Sequence, residues 1–530
     1  MSEPRYRDDP VAGGVGVSGP AELRFRATKA LGAVRLPAPA GVPVLIVVVT
    51  TAVLLVRAAR YDWFGDELYF VVAGYHPAAG YVDQGPLIPM FARAADTLAP
   101  GSRTLLRLPA VLAGTMSVLV TAWLAREFGG GRGARILAAL GYASCPYLIT
   151  QTASLSTFAL DSTATAIVIW LLVRWVRLRA DRLLVVAGAV AAIDLQVKLL
   201  LPVFAVALGI GFGCCGPRTL VRRPALWIAA GIAGVSAAPA LLWQWRHDWP
   251  QLAMGAVIRA EQQAATGGTA GLPMQLVLMA GVLGVVLIGC GTHGLLTELR
   301  PYRFLAVAAV LVVLFVAVTG GRPYYAAGLL PALFAAGAVV TVRRWPVRWW
   351  RAGVATAATT SVAIAATVVL GFPSGGQPDV VTTRAELSTR MRVSGTTGWN
   401  DLVAGVVRAV GRSGTDRAQT AILTRTYWQA AALSRLGGPD LPPVYSPNRG
   451  FAEFGHPDAG TTTIVSVDTD AAESRLTRVF ATVEPVERLD DPHGFPGIDA
   501  HVTLWRCSGP RDTWDRLWPL LTTDVMDPGI

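Results

Sequence analysis

Residues 304–325 read FLAVAAVLVVLFVAVTGGRPYY. From Phe304 to Val318 no side chain is polar, so the segment has no wet face and reads as a helix surrounded by apolar matter. The Gly320–Gly321 pair ends it, and charge returns at once with Arg322. Crossing a bilayer core of about 30 Å takes roughly 20 such residues. The same pattern recurs near 41–58, 106–125, 136–152, 158–173, 183–197, 199–215, 225–243, 273–292, 325–342 and 352–370, which predicts about eleven transmembrane helices. The stretch 183–215 is long for one span and short for two; Lys198 and Pro202 favour a break there.

Composition agrees. The chain has 530 residues, 53% hydrophobic and only 15% charged, which excludes a disordered chain and a disulfide-stapled mini-protein. The net charge of +11 divides unevenly: residues 1–370 carry 31 Lys+Arg against 16 Asp+Glu, and residues 371–530 carry 15 against 19. The basic excess therefore belongs to the membrane part, where it reports sidedness, and no nucleic-acid partner is expected. The five cysteines show no CxxC or Cys/His spacing suited to zinc.

The N-terminal tail and the loops near 126–135, 174–182, 216–224, 293–303 and 343–351 together collect 22 of those 31 basic residues, so they are expected in the cytoplasm. The first outer loop, 59–105, then lies outside with the C-terminal part. Residues 1–38 are expected as a disordered cytoplasmic tail, 39–370 as the transmembrane domain, and 371–530 as a soluble extracytoplasmic α/β domain. Within the last, Trp399–Arg412, Tyr427–Leu436 and Trp514–Leu521 read as helices. Thr420–Leu423, Thr461–Val467 and His501–Trp505 read as strands. No GxGxxG or P-loop pattern calls for a nucleotide.

The outer loop carries the chemistry. Its segments YDWFGDELYF (61–70) and GYVDQGPL (80–87) set acids in apolar and aromatic surroundings, with amphipathic helices expected along the membrane surface. Carboxylates so placed tend to have raised pKa values, which suits general-base work, and the adjacent Asp66 and Glu67 are the first candidates. Asp62 and Asp96 read as solvated loop or cap residues. Asp161 falls near the outer end of its span; Asp194 and Lys198 have the four-residue spacing that pairs side chains on a helix. Arg322 offers a guanidinium suited to phosphate. Charges at one depth do not make an ion path, which needs polar groups at several. They fit a site for a lipid-linked anionic substrate.

These residues resemble the family 39 glycosyltransferases of the GT-C fold, which include protein O-mannosyltransferases and aminoarabinose transferases. The resemblance rests on Gly65, Asp66, Glu67 and Tyr69, on 80–87, on Arg107 to Pro109, Leu160 and Asp161, and on Val197 and Lys198. It continues through His247 to Pro250 and Arg322 to Tyr325 to a tail with Gly398, Trp399 and LPPVY at 441–445. It implies a GT-C-like polytopic membrane protein that transfers a sugar from a polyprenyl-phosphate donor to an acceptor outside the cytoplasm, inverting the anomeric carbon. By position, Asp66 would be the catalytic base with Glu67 in support, Asp83 and Asp161 would support the acceptor or the loop, and Lys198, Arg322, Tyr324 and Tyr325 would bind the donor phosphate. The chain departs from the pattern at Asp83 and Gln84, where relatives often have Glu-Lys or His-Pro, so a contact there to a charged acceptor is not implied.

The resulting expectation is a polyprenyl-phosphate-sugar-dependent glycosyltransferase in a bacterial plasma membrane, with membrane lipids and an envelope glycan, lipid or protein acceptor as partners. It is expected to need no cofactor and no metal. Two other readings are a flippase for lipid-linked sugars and a membrane-anchored glycan-binding protein.

Overall fold

The computed structural model describes residues 41–370, 380–413 and 416–527. The expected N-terminal tail, 1–38, lies outside the described residues. Helix α1 (Val42–Arg60) leads into two short helices of the first loop, α2 (Gly65–Gly74) and α3 (Leu87–Leu98). There follow α4 (Arg103–Glu127), α5 (Arg132–Ala143), α6 (Pro146–Gln151), α7 (Thr157–Leu178), α8 (Arg182–Asp194), α9 (Leu201–Cys215) and α10 (Pro224–Arg246). Next come α11 (Pro250–Thr266), α12 (Gly268–Thr297), α13 (Phe304–Thr319), α14 (Leu330–Arg343) and α15 (Arg348–Leu370).

Among the described residues, 8 helical segments are long and apolar enough to cross a membrane, and the chain is a multi-pass membrane protein. Each of the eleven expected spans coincides with helix, but three fall short of that length. The segment at 136–152 is divided between α5 and α6 at Pro146, whose ring cannot continue a helix. The stretch 183–215 divides into α8 and α9, with Lys198 in the interruption.

Close backbone contact holds the bundle where side chains are smallest. A Cβ on Gly337 of α14 would lie 2.0 Å from the Leu287 carbonyl of α12, and one on Gly291 of α12 would lie 2.2 Å from the Leu333 carbonyl. In an apolar medium such contact gives dispersion that bulkier residues would forbid.

The C-terminal domain has helices α16 (Arg384–Ser394), α17 (Trp399–Ser413), α18 (Tyr427–Leu436), α19 (Glu473–Val479) and α20 (Trp514–Leu521). Its strands are β1 (Thr420–Thr424), β2 (Val444–Tyr445), β3 (Thr463–Asp468), β4 (Phe480–Leu489) and β5 (Val502–Pro510). They form one sheet in the order β2-β1-β3-β5-β4, with β1 parallel to β2 and β3, and β5 antiparallel to β3 and β4. Helix α18 starts with a capping box, Thr426 and Gln429 each satisfying the other's backbone N–H. That box fixes where Tyr427 and Trp428 point.

The domain is not a free tail: α18 packs on α2, and residues of both share one apolar core with the first loop. Trp63 presents its carbonyl to Thr396 Oγ1 at 2.5 Å and Trp399 Nε1 at 2.9 Å. Asp96, expected as a solvated loop residue, is instead ion-paired with Arg435 and accepts the Tyr75 hydroxyl at 2.9 Å. The second partner comes from a domain 339 positions along the chain, which local sequence could not show.

Replacing Gly337 by Val should separate α12 from α14 and cost about 1–3 kcal/mol. The check is a lowered thermal midpoint of the detergent-solubilised protein relative to Gly353→Val, a site where a Cβ meets nothing within 4 Å.

Candidate active site

The site is built on a buried ion pair. Arg107 of α4 and Glu67 of α2 are both 0% exposed. Arg107 Nε donates to Glu67 Oε1 at 2.8 Å and Nη2 to Oε2 at 2.6 Å. The remaining donors reach the carbonyls of Ala58 (2.6 Å), Tyr61 (2.7 Å) and Asp62 (2.6 Å). All five guanidinium N–H groups are thus used, three of them on carbonyls of the last turn of α1 and of the link to α2. Glu67 also accepts from Leu155 N at 2.7 Å and Phe64 N at 3.1 Å. The carboxylate that sequence reasoning placed beside Asp66 as a catalytic partner therefore accepts two hydrogen bonds at each oxygen. It holds the loop.

Asp66, the next residue, faces the C-terminal domain. Its Oδ1 accepts from the Tyr427 hydroxyl at 2.6 Å and from Trp428 Nε1 at 2.7 Å. No other hydrogen bond reaches it among the described residues, so Oδ2 is open. Trp428 comes this close because residue 65 is glycine: a Cβ there would overlap the indole at 2.3 Å. Burial and the Asp66 charge push the Tyr427 phenol well above its ordinary range, so it remains a donor.

The segment 80–87 is pinned against the interruption between α8 and α9. Gly85 N donates to Val197 O at 2.9 Å and Leu87 N to Gln196 O at 3.0 Å. Lys198 Nζ consequently reaches the Asp83 carbonyl at 3.3 Å and lies 4.5 Å from the centre of the Phe158 ring. Burial raises the Asp83 carboxyl above the usual carboxylate range, opposed by Lys198. Asp83 Oδ1 and both polar atoms of the Gln84 amide are buried without hydrogen-bond partners among the described residues.

Arg322 Nη2 donates to Glu261 Oε2 of α11 at 2.9 Å, and the other oxygen of Glu261 pairs with Arg449 of the C-terminal domain. Tyr324 and Tyr325 pack around Phe158 with ring centres 4.3 and 5.7 Å away. Arg449 stands in the left-handed region, at φ 49°, which a residue other than glycine enters only at a cost of roughly 1–3 kcal/mol. Its backbone N–H donates to Thr523 O and its Nε to Asp524 O, each at 2.9 Å, and these hold it there. The guanidinium lies 5.5 Å from the centre of the Tyr427 ring.

Lys198 thus comes within electrostatic reach of Asp66, Asp83, Asp161 and Arg322, and Asp66 within reach of Asp83 and Arg322. The expected Asp194–Lys198 pair does not form: the helix ends at Asp194, and Lys198 turns to Asp83. Asp194 is buried, with Asp161 and the Thr165 hydroxyl as its polar neighbours. Sequence reasoning missed Arg107 as the partner of Glu67, and missed Glu261, Tyr427, Trp428 and Arg449 altogether. Among the described residues no three His, Cys, Asp or Glu side chains are grouped to hold a metal ion.

A sequence model of the dolichyl-phosphate-mannose-protein mannosyltransferase family matches residues 83–243. ArnT from Cupriavidus metallidurans, in the apo state, superposes with a TM-score of 0.60 at 13% identity, over 87% of this chain and 97% of that one. The fold is that of the GT-C glycosyltransferases. ArnT bound to undecaprenyl phosphate gives a TM-score of 0.59 at 14% identity, with the same coverage. The arabinofuranosyltransferase AftD from Mycobacteria gives 0.52 at 15% identity, over 89% of this chain and 40% of that one. No curated protein matches by sequence. The resemblance to family 39 of the GT-C fold thus has both a family match and a common architecture behind it.

Arg107→Ala leaves Glu67 charged and buried, which should cost about 3–5 kcal/mol. Thermal unfolding should show the loss, and the double variant Arg107→Leu/Glu67→Leu should recover part of it.

Proposed function

We propose that this chain is a membrane glycosyltransferase that moves a sugar from a polyprenyl-phosphate donor to an acceptor hydroxyl with inversion. The observation that carries the reading is Asp66 itself. One of its oxygens is held by two donors and the other is open, and three cations (Lys198, Arg322 and Arg449) gather in the same cluster. The family match, and a shared fold with a protein solved bound to undecaprenyl phosphate, support the choice of donor.

The chemistry follows from where charge moves. The acceptor oxygen attacks the anomeric carbon, its proton passes to Asp66 Oδ2, and the bond from that carbon to the phosphate oxygen breaks. The carrier leaves as polyprenyl phosphate with one more negative charge, which the cations stabilise without a strong acid. Tyr427 and Trp428 aim the base, and the buried, raised Asp83 carboxyl limits the negative charge opposing an incoming phosphate. Tyr324 and Tyr325 line the donor side, and Asp161 steadies Lys198. The domain-bearing face would be extracytoplasmic and the membrane a bacterial plasma membrane, in line with the distribution of basic loops.

Purified protein given a radiolabelled polyprenyl-phosphate sugar and an envelope extract should transfer label. Asp66→Asn should reduce transfer by at least 1,000-fold while the protein stays folded; a folded variant with undiminished activity removes the base. Tyr427→Phe should lower kcat by about 10–100-fold, the value of one hydrogen bond to a charged group. A chelator such as EDTA should leave the rate unchanged.

A further inference from the structure

Beside the catalytic cluster lies a cleft of ≈ 380 Å³ with no assigned role. Its walls come from three places: the first loop at Tyr75–Val82, the end of α10 at Trp243 and His247, and the C-terminal domain at Gly450, Glu453 and Phe454. Its volume lies in the range of small-molecule sites. Two stacked ring pairs form much of the lining. His76 lies on Phe454 at 4.5 Å, and His247 on Trp243 at 4.0 Å. Among the described residues of the lining Glu453 is the one acid, 3.8 Å from His247 Nε2, and neither Lys nor Arg is among them.

The cleft is tied to the base through rings. Phe454 stacks on Tyr69 at 5.9 Å, Tyr69 meets Tyr427 edge-on at 5.2 Å, and Tyr427 donates to Asp66. The shape is held at a cost. Asp248 and Trp249, directly after His247, both stand at φ 57°, and strain of this kind collects at functional sites. Gly450 permits the close approach of Tyr69, whose hydroxyl would lie 2.2 Å from any Cβ there.

We propose that this cleft is an acceptor subsite for a neutral carbohydrate chain, gripping a sugar unit removed from the hydroxyl that is glycosylated. This rests on the sugar-transfer reading above and adds the substrate class. Aromatic faces match the apolar C–H faces of a sugar ring, and a carboxylate with an imidazole accepts and donates to its hydroxyls. A phosphorylated acceptor would find no cation in the lining itself and would meet Glu453. Two ring spacings separate Phe454 from Tyr427, so the gripped unit is not the one that reacts.

The full chain in lipid nanodiscs is titrated with three probes, α-1,6-mannohexaose, α-1,5-arabinohexaose and β-1,4-galactohexaose, and with the 6-phosphorylated mannohexaose. Binding is read by saturation-transfer NMR. At least one neutral probe should bind, the phosphorylated one no more tightly than its parent. Trp243→Ala and Phe454→Ala should weaken binding tenfold or more, Glu453→Gln about threefold, and Trp243→Phe should restore most of the loss. No binding by any neutral probe, preference for the phosphorylated one, or unchanged affinity in the folded Ala variants overturns the proposal. Release of labelled sugar from the donor to water, assayed on the same samples, separates the two readings. Donor turnover lost in Asp66→Asn but intact in Trp243→Ala, with no glycan binding, sinks the cleft alone. Glycan binding by a wild type that never turns over the donor sinks the transferase.

Discussion

Arg107 decides where the first loop can go. Its five donors are divided between the Glu67 carboxylate and the carbonyls of Ala58, Tyr61 and Asp62, and the Arg107 side chain lies out of water. A charge pair in such a place is stable only when every donor and lone pair has a partner, and that completeness makes the geometry unique. Since Glu67 is fixed, Asp66 has one direction left, across the helix start toward the C-terminal domain.

Two distant parts of the chain complete what the ion pair begins. The interruption between α8 and α9 takes the backbone of 85–87, which brings Lys198 to Asp83. The C-terminal domain supplies Tyr427, Trp428 and Arg449, each on a backbone fixed by other means: a capping box for the first two, and the carbonyls of Thr523 and Asp524 for the third. Asn448 links these supports, since its amide oxygen accepts from Tyr427 N and its nitrogen donates to Thr523 O and Val525 O. The domain is therefore part of the site's wall.

Much of the membrane architecture was legible in the sequence because hydropathy is a local property. An all-apolar run such as Phe304–Val318 declares its environment without help from elsewhere, and the helices Tyr427–Leu436 and Trp514–Leu521 were read with their observed limits. The acids of the first loop stood out because charge is conspicuous among aromatics. Partnership was not legible. Asp194 and Lys198 have helical spacing, yet the helix stops between them; Glu67 looks as reactive as Asp66 until Arg107 is beside it. Arg449 and Glu261 carried no signal at all, for an arginine in a soluble domain and a glutamate in a loop helix are ordinary until the fold puts them together. The small strand Val444–Tyr445 and the long β4 were missed because pairing, more than pattern, makes them strands.

The anchoring of Arg449 bears on biosynthesis. Thr523 and Asp524, whose carbonyls hold it, are made more than 450 positions after Asp66. A nascent chain made only as far as α15 contains Asp66, Lys198 and Arg322 but lacks Tyr427 and Trp428, which donate to Asp66, and Arg449. Arg449 takes its observed place only once residues 523 and 524 have been made and docked, so the cluster around Asp66 is completed late in synthesis.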